Sequence, residues 1–322
     1  MVYKKKLTVL SSIVAALALV YVLCIIFEPE RTNSRSAGYT WLDPKMTGQI
    51  DKIVINNSGA RTELVRKNNE WFVSHNGKEY PARQFRVEDF IGAFTRRASY
   101  PVRSSSPASH ERLGLTETSA SRVTITDGAG LPLLDLLAGQ TDVTGQDVFL
   151  RKQGQNEVRS GENKFSAYIT SPRSSWYNLR LFPESENGKL DVDGIQRLTV
   201  YRSAESGAAP EVYTRSNREW TISGLSLTAP DPGKVDAYIR GILNTEGDDF
   251  DETINAADPV FGDSRLVLEL GNGEIKTVRL GPPDETNRRF ALVSGSSFVY
   301  SIPGWTAQRL FGNAADFEKQ DS

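Results

Sequence analysis

The 322-residue sequence contains only one cysteine and two histidines. One cysteine excludes a disulfide framework and a thiolate zinc site, and two histidines leave little material for histidine-based catalysis or metal binding. We therefore expect no metal ion. Because no P-loop, dinucleotide-binding or nucleophile motif is present, we also expect no cofactor and no enzymatic activity. Lysine and arginine (38) nearly balance aspartate and glutamate (40), and no long basic run lies outside the N-terminus, so we expect no nucleic-acid partner either.

One long apolar run is present, and it lies at the N-terminus. Lys4, Lys5 and Lys6 precede a charge-free stretch from Leu7 to Phe27. As a helix, this stretch would be about 31 Å long, which matches a hydrocarbon core about 30 Å thick. The lysines favour a cytoplasmic N-terminus. Residues 1–27 are therefore predicted to be a cytoplasmic stub and single-pass anchor in the inner membrane, with the bulk of the chain periplasmic.

A cleaved signal peptide or a lipoprotein anchor remains an alternative. The run lacks a small-residue cleavage site, and Leu23 stands where a lipoprotein would have a small residue before the modified Cys24. We therefore favour an uncleaved span, in which Cys24 is a buried apolar residue rather than a reactive thiol.

The rest of the chain contains five segments that recur in the same order, which predicts two copies of one unit. The pairs are IDKIVINN (50–57) with IQRLTVY (195–201), NNEWFVS (68–74) with NREWTIS (217–223), RVEDFIGAF (86–94) with KVDAYIRGIL (234–243), SRVTI (121–125) with SRLVLEL (264–270), and WYNLRLF (176–182) with WTAQRLF (305–311). The spacing between partners shrinks along the chain, so we expect insertions late in the first copy.

Each copy is predicted to be an α+β unit. Alternating apolar and polar residues predict a meandering antiparallel sheet, with Asn76-Gly77 and Asn272-Gly273 as type I′ hairpin turns. Apolar residues at helical spacing predict one short helix in each unit, with Val87, Phe90, Ile91 and Phe94 or Val235, Tyr238, Ile239 and Ile242 on its buried face. A second helix is expected after Ser174-Ser175 and after Pro303.

Composition sets the expected boundaries. Residues 28–49 form a spacer rich in Pro, Ser, Arg and Gly, and the polar segment 184–193 forms the linker between the units. The first unit is expected over residues 50–183, the second over 194–313, and a short tail over 314–322.

No motif with catalytic or ligating chemistry stands out. We interpret His75 and His110 as solvated surface residues, His110 preceding a helix that starts at Glu111. The glycines of G-N-G (271–273) are interpreted as a hairpin turn. Asp191, Asp193 and Gly194 are not interpreted as a calcium loop, because no acidic residue stands at the first position of such a loop. An acidic cluster could bind a hard cation, but we interpret it as a solvated loop: Glu246, Asp248, Asp249, Asp251 and Glu252.

The aromatic residues are interpreted mainly as core. Trp71 and Trp220 lie on strands and are expected to fill the core of each unit, although ligand stacking is an alternative. Trp176 and Trp305 are expected to pack, with Arg180 and Arg309 at the surface. Another hypothesis is an exposed contact patch formed by Phe94, Tyr100 and Pro101 near the serine-rich segment 104–109.

Together, these landmarks resemble the family called domain of unknown function 4340. The matching residues are Trp71, Val87–Ile91, Leu113-Gly114-Leu115 and Trp176–Phe182, followed by Trp220, Val235–Ile239, Phe261-Gly262 and Trp305–Phe311. The resemblance implies a Lys-led membrane span and two repeats, in proteins similar to the auxiliary components of gliding-motility-like ABC transport systems. It implies no catalytic residue.

Two functions follow as hypotheses. The first is a non-enzymatic, membrane-anchored extracytoplasmic accessory subunit that docks on an ABC-type permease or a related anchored protein through protein–protein interaction. The second is a cell-envelope module that binds a ligand or polymer.

Overall fold

The computed structural model describes residues 17, 18, 21, 38–186, 188–202, 209–223, 230–258, 260–312 and 314–318. The chain divides into two compact units, one of residues 1–79 and 84–173 and the other of residues 80–83 and 174–322. Each unit is an antiparallel sheet with short helices, which confirms the predicted α+β class.

The first unit is built on a sheet in the order β4-β3-β2-β1-β6-β7-β8-β9-β5. Its strands are β1 (Lys52–Asn57), β2 (Ala60–Lys67), β3 (Glu70–His75), β4 (Lys78–Pro81), β5 (Val102–Ser104), β6 (Ser121–Thr126), β7 (Pro132–Thr141), β8 (Asp147–Lys152) and β9 (Val158–Glu162). Its helices are α1 (Gln84–Thr95), α2 (Ser109–Arg112) and α3 (Lys164–Ile169).

The second unit has a sheet in the order β12-β11-β10-β14-β15-β16-β17-β13. Its strands are β10 (Ile195–Tyr201), β11 (Glu211–Ser216), β12 (Glu219–Ser223), β13 (Asp249–Asp251), β14 (Arg265–Leu270), β15 (Ile275–Pro283), β16 (Arg288–Val293) and β17 (Val299–Pro303). Its helices are α4 (Pro232–Leu243) and α5 (Gly304–Leu310).

The two sheets share one strand order. Starting from the β3 and β12 ends, each strand of the second sheet has a counterpart in the first, and β4 is the additional strand of the first sheet. The short strands β5 and β13 close the opposite edge by pairing with β9 and β17. This correspondence is the structural form of the sequence repeat.

The tight turns that join the first strands also repeat. Asn68 and Asn69 have φ values of 50° and 68°, and Asn217 and Arg218 have 51° and 68°. Two positive φ values are the requirement of a type I′ turn, which asparagine tolerates better than most residues. Local sequence therefore sets the β2–β3 and β11–β12 registers.

The two predicted hairpin turns have different outcomes. Asn76 and Gly77 both have positive φ, as a type I′ turn requires. In the loop between β14 and β15, only Gly273 has a positive φ, and its N–H bonds to Leu270. That turn centres on Gly271 and Asn272, so the type I′ prediction is wrong there, although the hairpin itself is present.

The helical faces predicted from spacing are confirmed. Val87, Phe90, Ile91 and Phe94 of α1 are all buried. The corresponding residues of α4 are buried too: Val235, Tyr238, Ile239 and Ile242. Packing of these faces contributes most of the stability of helices this short, because short helices are marginal in isolation.

The predicted second helix of the first unit is wrong. The structure has α3 at Lys164–Ile169, directly after β9, whereas residues 173–176 form a 3-10 turn. Because α5 likewise follows β17 directly, the counterpart of α5 is α3 and not the segment at Trp176. The segments at Trp176 and Trp305 are therefore not a repeated pair. The expectation of insertions late in the first copy depended on this pair.

The second compact unit begins again at residue 174, whereas the predicted linker between the units is 184–193. Residues 184–193 are tied into the second unit. Glu184 pairs with Lys276 at 2.8 Å, and the Ser185 hydroxyl donates to the carbonyl of Leu243. A polar composition here reflects surface hydrogen bonding rather than a free linker.

The predicted anchor, Leu7 to Phe27, lies outside the described residues except at three positions. In the part of the chain that is described, none of the helices combines the length and apolar character needed to span a membrane.

Candidate functional site

The second unit contains an open cavity of about 920 Å³ lined by α4, α5 and the residues that follow α5. On α4, the lining residues are Lys234, Ala237, Tyr238 and Gly241. Their spacing of three and four residues places them on one face of the helix. The volume is in the range of small-molecule sites.

The apolar part of the cavity is aromatic. Phe317 stacks on Tyr238 with ring centroids 4.9 Å apart, and Phe311 completes this surface. The Tyr238 hydroxyl donates to the carbonyl of Leu310 at 2.6 Å, so its polar end is satisfied. Burial raises the pKa of Tyr238, which keeps the phenol neutral. The aromatic surface is therefore uncharged.

Gly312 allows this arrangement. A Cβ atom at position 312 would lie 2.8 Å from Cε2 of Tyr238, closer than real Cβ contacts. Only glycine lets the backbone pass this near the ring.

The charged residues around the cavity are mainly basic. Four cationic side chains line it, against the single carboxylate of Asp316: Arg202, Lys234, Arg289 and Arg309. Arg202 pairs with Glu211 at 2.9 Å. Among the described residues, no carboxylate pairs with any of the other three, in a chain whose formal net charge is −2. The cavity is thus a local concentration of positive charge.

Arg289 is half-buried. Its Nε donates to the carbonyl of Gly281 at 2.8 Å, a neutral partner. Burial lowers the pKa of Arg289 from its ordinary value, because the guanidinium has lost part of its hydration. In the described part of the chain Arg289 has no carboxylate partner, and a half-buried cation of this kind favours the approach of an anion.

The lining has little capacity for acid–base or nucleophilic chemistry. It contains one hydroxyl, Ser264, and one carboxylate, Asp316, together with the tyrosine whose hydroxyl is already bonded. The cavity can bind a molecule that combines negative charge with an apolar body.

Comparison with known proteins gives one family. The family model described as Domain of unknown function (DUF4340) matches residues 71–260, more than half of the chain. The chain belongs to the DUF4340 family. Neither the curated proteins nor the solved structures gave a match.

The DUF4340 match includes α4 but ends before β16 and α5. Lys234 and Tyr238 therefore lie inside the matched range, whereas Arg289 and Arg309 lie beyond it. The cavity combines residues from both parts.

The two histidines of this DUF4340 protein are half-buried, rather than fully solvated as predicted. The Nε2 atom of His110 lies 3.1 Å from the carbonyl oxygen of Asn156, which holds the ring against the first unit. The helix at His110 begins at Ser109 rather than at Glu111. His75 lies at the end of β3, beside the hairpin turn.

The acidic cluster is held by ion pairs and hydrogen bonds, and not simply solvated. Glu246 pairs with Arg83 and Arg180, and Asp248 pairs with Arg288. Asp251 accepts hydrogen bonds from the backbone of the two residues at 253 and 254. Within the described residues, no group of three or more potential ligands could hold a metal ion. Asp191 and Asp193 are also engaged, with Gly194 N–H and Arg215 respectively.

The tryptophans separate into buried and exposed groups. Trp71, Trp176 and Trp220 are buried, as predicted for core residues. Trp305 is 63% exposed, so its predicted packing role is wrong. The proposed contact patch is wrong as well, because Phe94 and Tyr100 are buried.

Sequence reasoning did not find the cavity residues Lys234 and Arg289. Isolated basic residues on a helix and a strand resemble ordinary surface positions, and only folding brings them together. A usable signal did exist at Arg309, because α5 is amphipathic and carries an exposed Trp-Arg pair at helical spacing.

Proposed function

We propose that this DUF4340 protein is a non-enzymatic accessory subunit of an ABC-type transport system. The N-terminal segment anchors it in the inner membrane, and its two units act on the periplasmic side through protein–protein contacts. Membership of the DUF4340 family supports this proposal, because the resemblance implies that such proteins are similar to auxiliary components of ABC transport systems. The apolar run after Lys4, Lys5 and Lys6 supports the anchor and its orientation.

The observation that carries the docking role is the exposed pair of Trp305 and Arg309 on α5. The guanidinium of Arg309 lies 5.3 Å from the centre of the Trp305 ring. Tryptophan and arginine are the residue types that most often dominate protein interfaces. A helix that presents both in one stacked pair is a preformed anchor for a partner.

The test is crosslinking in native membranes, followed by purification of the full chain in mild detergent and identification of the co-purifying proteins. We expect an ABC permease and its ATPase, and we expect Trp305→Ala to lower their recovery about tenfold, the loss typical of an interface anchor. Phe85→Ala is the matched control, because Phe85 is a 69% exposed aromatic on α1. Recovery of the chain alone, or equal recovery with both variants, would contradict the proposal.

A second function is favoured by the cavity itself. In this role the protein binds a ligand or polymer of the cell envelope. The cavity of about 920 Å³ has an aromatic surface and three cations that pair with no carboxylate among the described residues, which supports this function in the second unit. The two functions are compatible, since an accessory subunit can hold a ligand while bound to its partner.

A further inference from the structure

The strand register shows which positions of the two units correspond. Phe149 of β8 lies opposite Ser160 of β9, and Phe290 of β16 lies opposite Ser301 of β17. Because α3 and α5 each begin just after these strands, counting onward matches Tyr168 with Arg309. The buried residues Ile169 and Leu310 then also coincide, as the same helical face requires.

In the first unit, Tyr168 occupies the space between α1 and α3. Its ring packs on Phe90 with centroids 5.2 Å apart, and the Arg86 guanidinium lies 5.1 Å from the ring centre. These contacts fill the position that corresponds to the cavity.

In the second unit, the same three positions hold Lys234, Tyr238 and Arg309. Arg309 turns over the ring of Trp305 and does not pack on Tyr238. An arginine at the cavity wall, stacked on Trp305, leaves open the space that the Tyr168 ring fills in the first unit. The cavity is therefore a feature by which the second unit differs from the first.

The strand beneath the cavity shows a parallel difference. Val148 of β8 pairs with Gly161 and is fully buried. Its counterpart on β16 is Arg289, which pairs with Ile302 and lines the cavity. A cation thus replaces an apolar residue where the space has opened.

We propose that the cavity binds an acyl-chain anion, an amphiphile with a carboxylate or phosphate head and a hydrocarbon body. Lys234, Arg289 and Arg309 receive the head, and the surface of Tyr238 and Phe317 receives the chain. This inference rests on the second proposed function, ligand binding, and names the class of ligand.

Size and chemistry favour an amphiphile over a small anion. A site for free phosphate would surround the ion closely with hydrogen-bond donors, whereas this cavity has a volume of about 920 Å³ and an extended aromatic surface. The aromatic surface would stay wet around an inorganic ion. A hydrocarbon chain displaces that water, and each methylene that it buries adds to the binding free energy.

The experiment is photoaffinity labelling of the full chain in nanodiscs of a neutral phospholipid, with a diazirine-bearing dodecanoate as the probe. Digestion and mass spectrometry map the labelled peptides. We expect label within residues 234–241 and 304–312, which line the cavity. Excess dodecanoate should remove this label. Inorganic phosphate, which has the charge without the chain, should not.

Two further competitors separate the contributions of charge and head group. Dodecanol has the same chain without charge and should compete at least about tenfold less well, because it cannot form charge-assisted hydrogen bonds to the three cations. Dodecyl phosphate tests the head: stronger competition than dodecanoate indicates a phosphate-headed source, and weaker competition indicates a carboxylate.

The variants test the cations directly. Arg289→Gln and Lys234→Gln should each lower cavity labelling about tenfold, for the same reason. Arg279→Gln is the matched control, because Arg279 lies on β15 of the same unit, over Phe261, and does not line the cavity. Arg309→Gln is a further variant for the case in which Arg289→Gln weakens folding. Because the Arg309 side chain is exposed, its replacement should lower labelling without affecting the fold.

The outcomes distinguish the inference from the function on which it rests. If neither peptide is labelled above the level of nanodisc-exposed background, ligand binding by this cavity fails, and the inference fails with it. If dodecanol competes as well as dodecanoate, or all three cation variants label normally, the cavity binds an apolar ligand and the anion inference alone is overturned.

Discussion

Asp147 and Arg288 occupy the same register position in the two sheets and carry opposite charges. Each is the first residue of its strand, β8 or β16, and each contacts the serine on the adjacent strand that lies opposite the residue two positions further along. Asp147 accepts from Ser160 and pairs with Arg103, whereas Arg288 donates to Ser301 and pairs with Asp248. In each unit, an ion pair therefore links the start of this strand to the region of the short edge strand. The acidic and basic partners of the pair are exchanged between the two units.

This relationship predicts that the second unit tolerates the charge arrangement of the first. Asp248→Arg and Arg288→Asp should each destabilise the protein by about 0.5–1 kcal/mol, since the pair is partly exposed. The double variant should recover most of that loss, because the Ser301 hydroxyl can donate to a carboxylate as Ser160 does. Urea unfolding of the four proteins gives the coupling energy, and strictly additive losses would contradict the prediction.

Gly139 is predicted to be essential for packing in the first unit. A Cβ atom there would lie 2.2 Å from the carbonyl oxygen of Leu113, a backbone atom that cannot move aside. Gly139→Ala should lower the free energy of unfolding by about 2 kcal/mol or more. Gly92→Ala is the control, because a Cβ on α1 there meets nothing within 4 Å and should stabilise the helix by about 0.5–1 kcal/mol. Equal effects of the two changes would refute the steric account.

Arg309→Tyr is predicted to convert the second unit towards the packing of the first. A tyrosine there can pack on Tyr238 as Tyr168 packs on Phe90. We expect labelling of the cavity by the acyl probe to be lost, and thermal stability to stay level or rise by about 1 kcal/mol, as cavity filling often gives. Arg309→Gln removes the charge without filling the space. Full labelling of Arg309→Tyr would show that the cavity does not close in this way.

Alkaline pH is predicted to destabilise the first unit through Tyr100. Burial raises the pKa of Tyr100 to about 12, from an ordinary value of 10.0. The unfolded chain therefore loses this proton first, and the stability contributed by the neutral phenol is complete below pH 10 and lost as pH rises towards 12. Tyr100→Phe should make the fall in unfolding free energy across this range shallower. The measurement is denaturant unfolding at successive pH values, and identical slopes would contradict the prediction.

Much of the fold followed from local patterns. The alternation of apolar and polar residues predicted the long strands of both units, although not the short strands β4, β5 and β13. The spacing of Val87, Phe90, Ile91 and Phe94 predicted the buried face of α1. The Asn-Gly pair predicted the type I′ turn found at Asn76-Gly77. These features succeed because period, turn chemistry and burial are all set within a few residues.

The wrong predictions arose where a short sequence motif was used to infer which elements of the two units correspond. Trp176 and Trp305 share neighbours in sequence, but one is buried beside a 3-10 turn and the other is exposed on a helix. Identity at four positions of a short segment does not reveal which strand precedes it, and the preceding strand decides which elements correspond.

By itself, the sequence determined the α+β class, the duplication and the helix faces, because hydrophobic periodicity acts within a strand or helix. Only the tertiary structure decided where the repeats diverge. Arg289 and Arg309 belong to different elements, and their shared cavity exists because the chain leaves open the space that Tyr168 fills in the first unit. Function at such a site depends on long-range packing, and no local pattern encodes it.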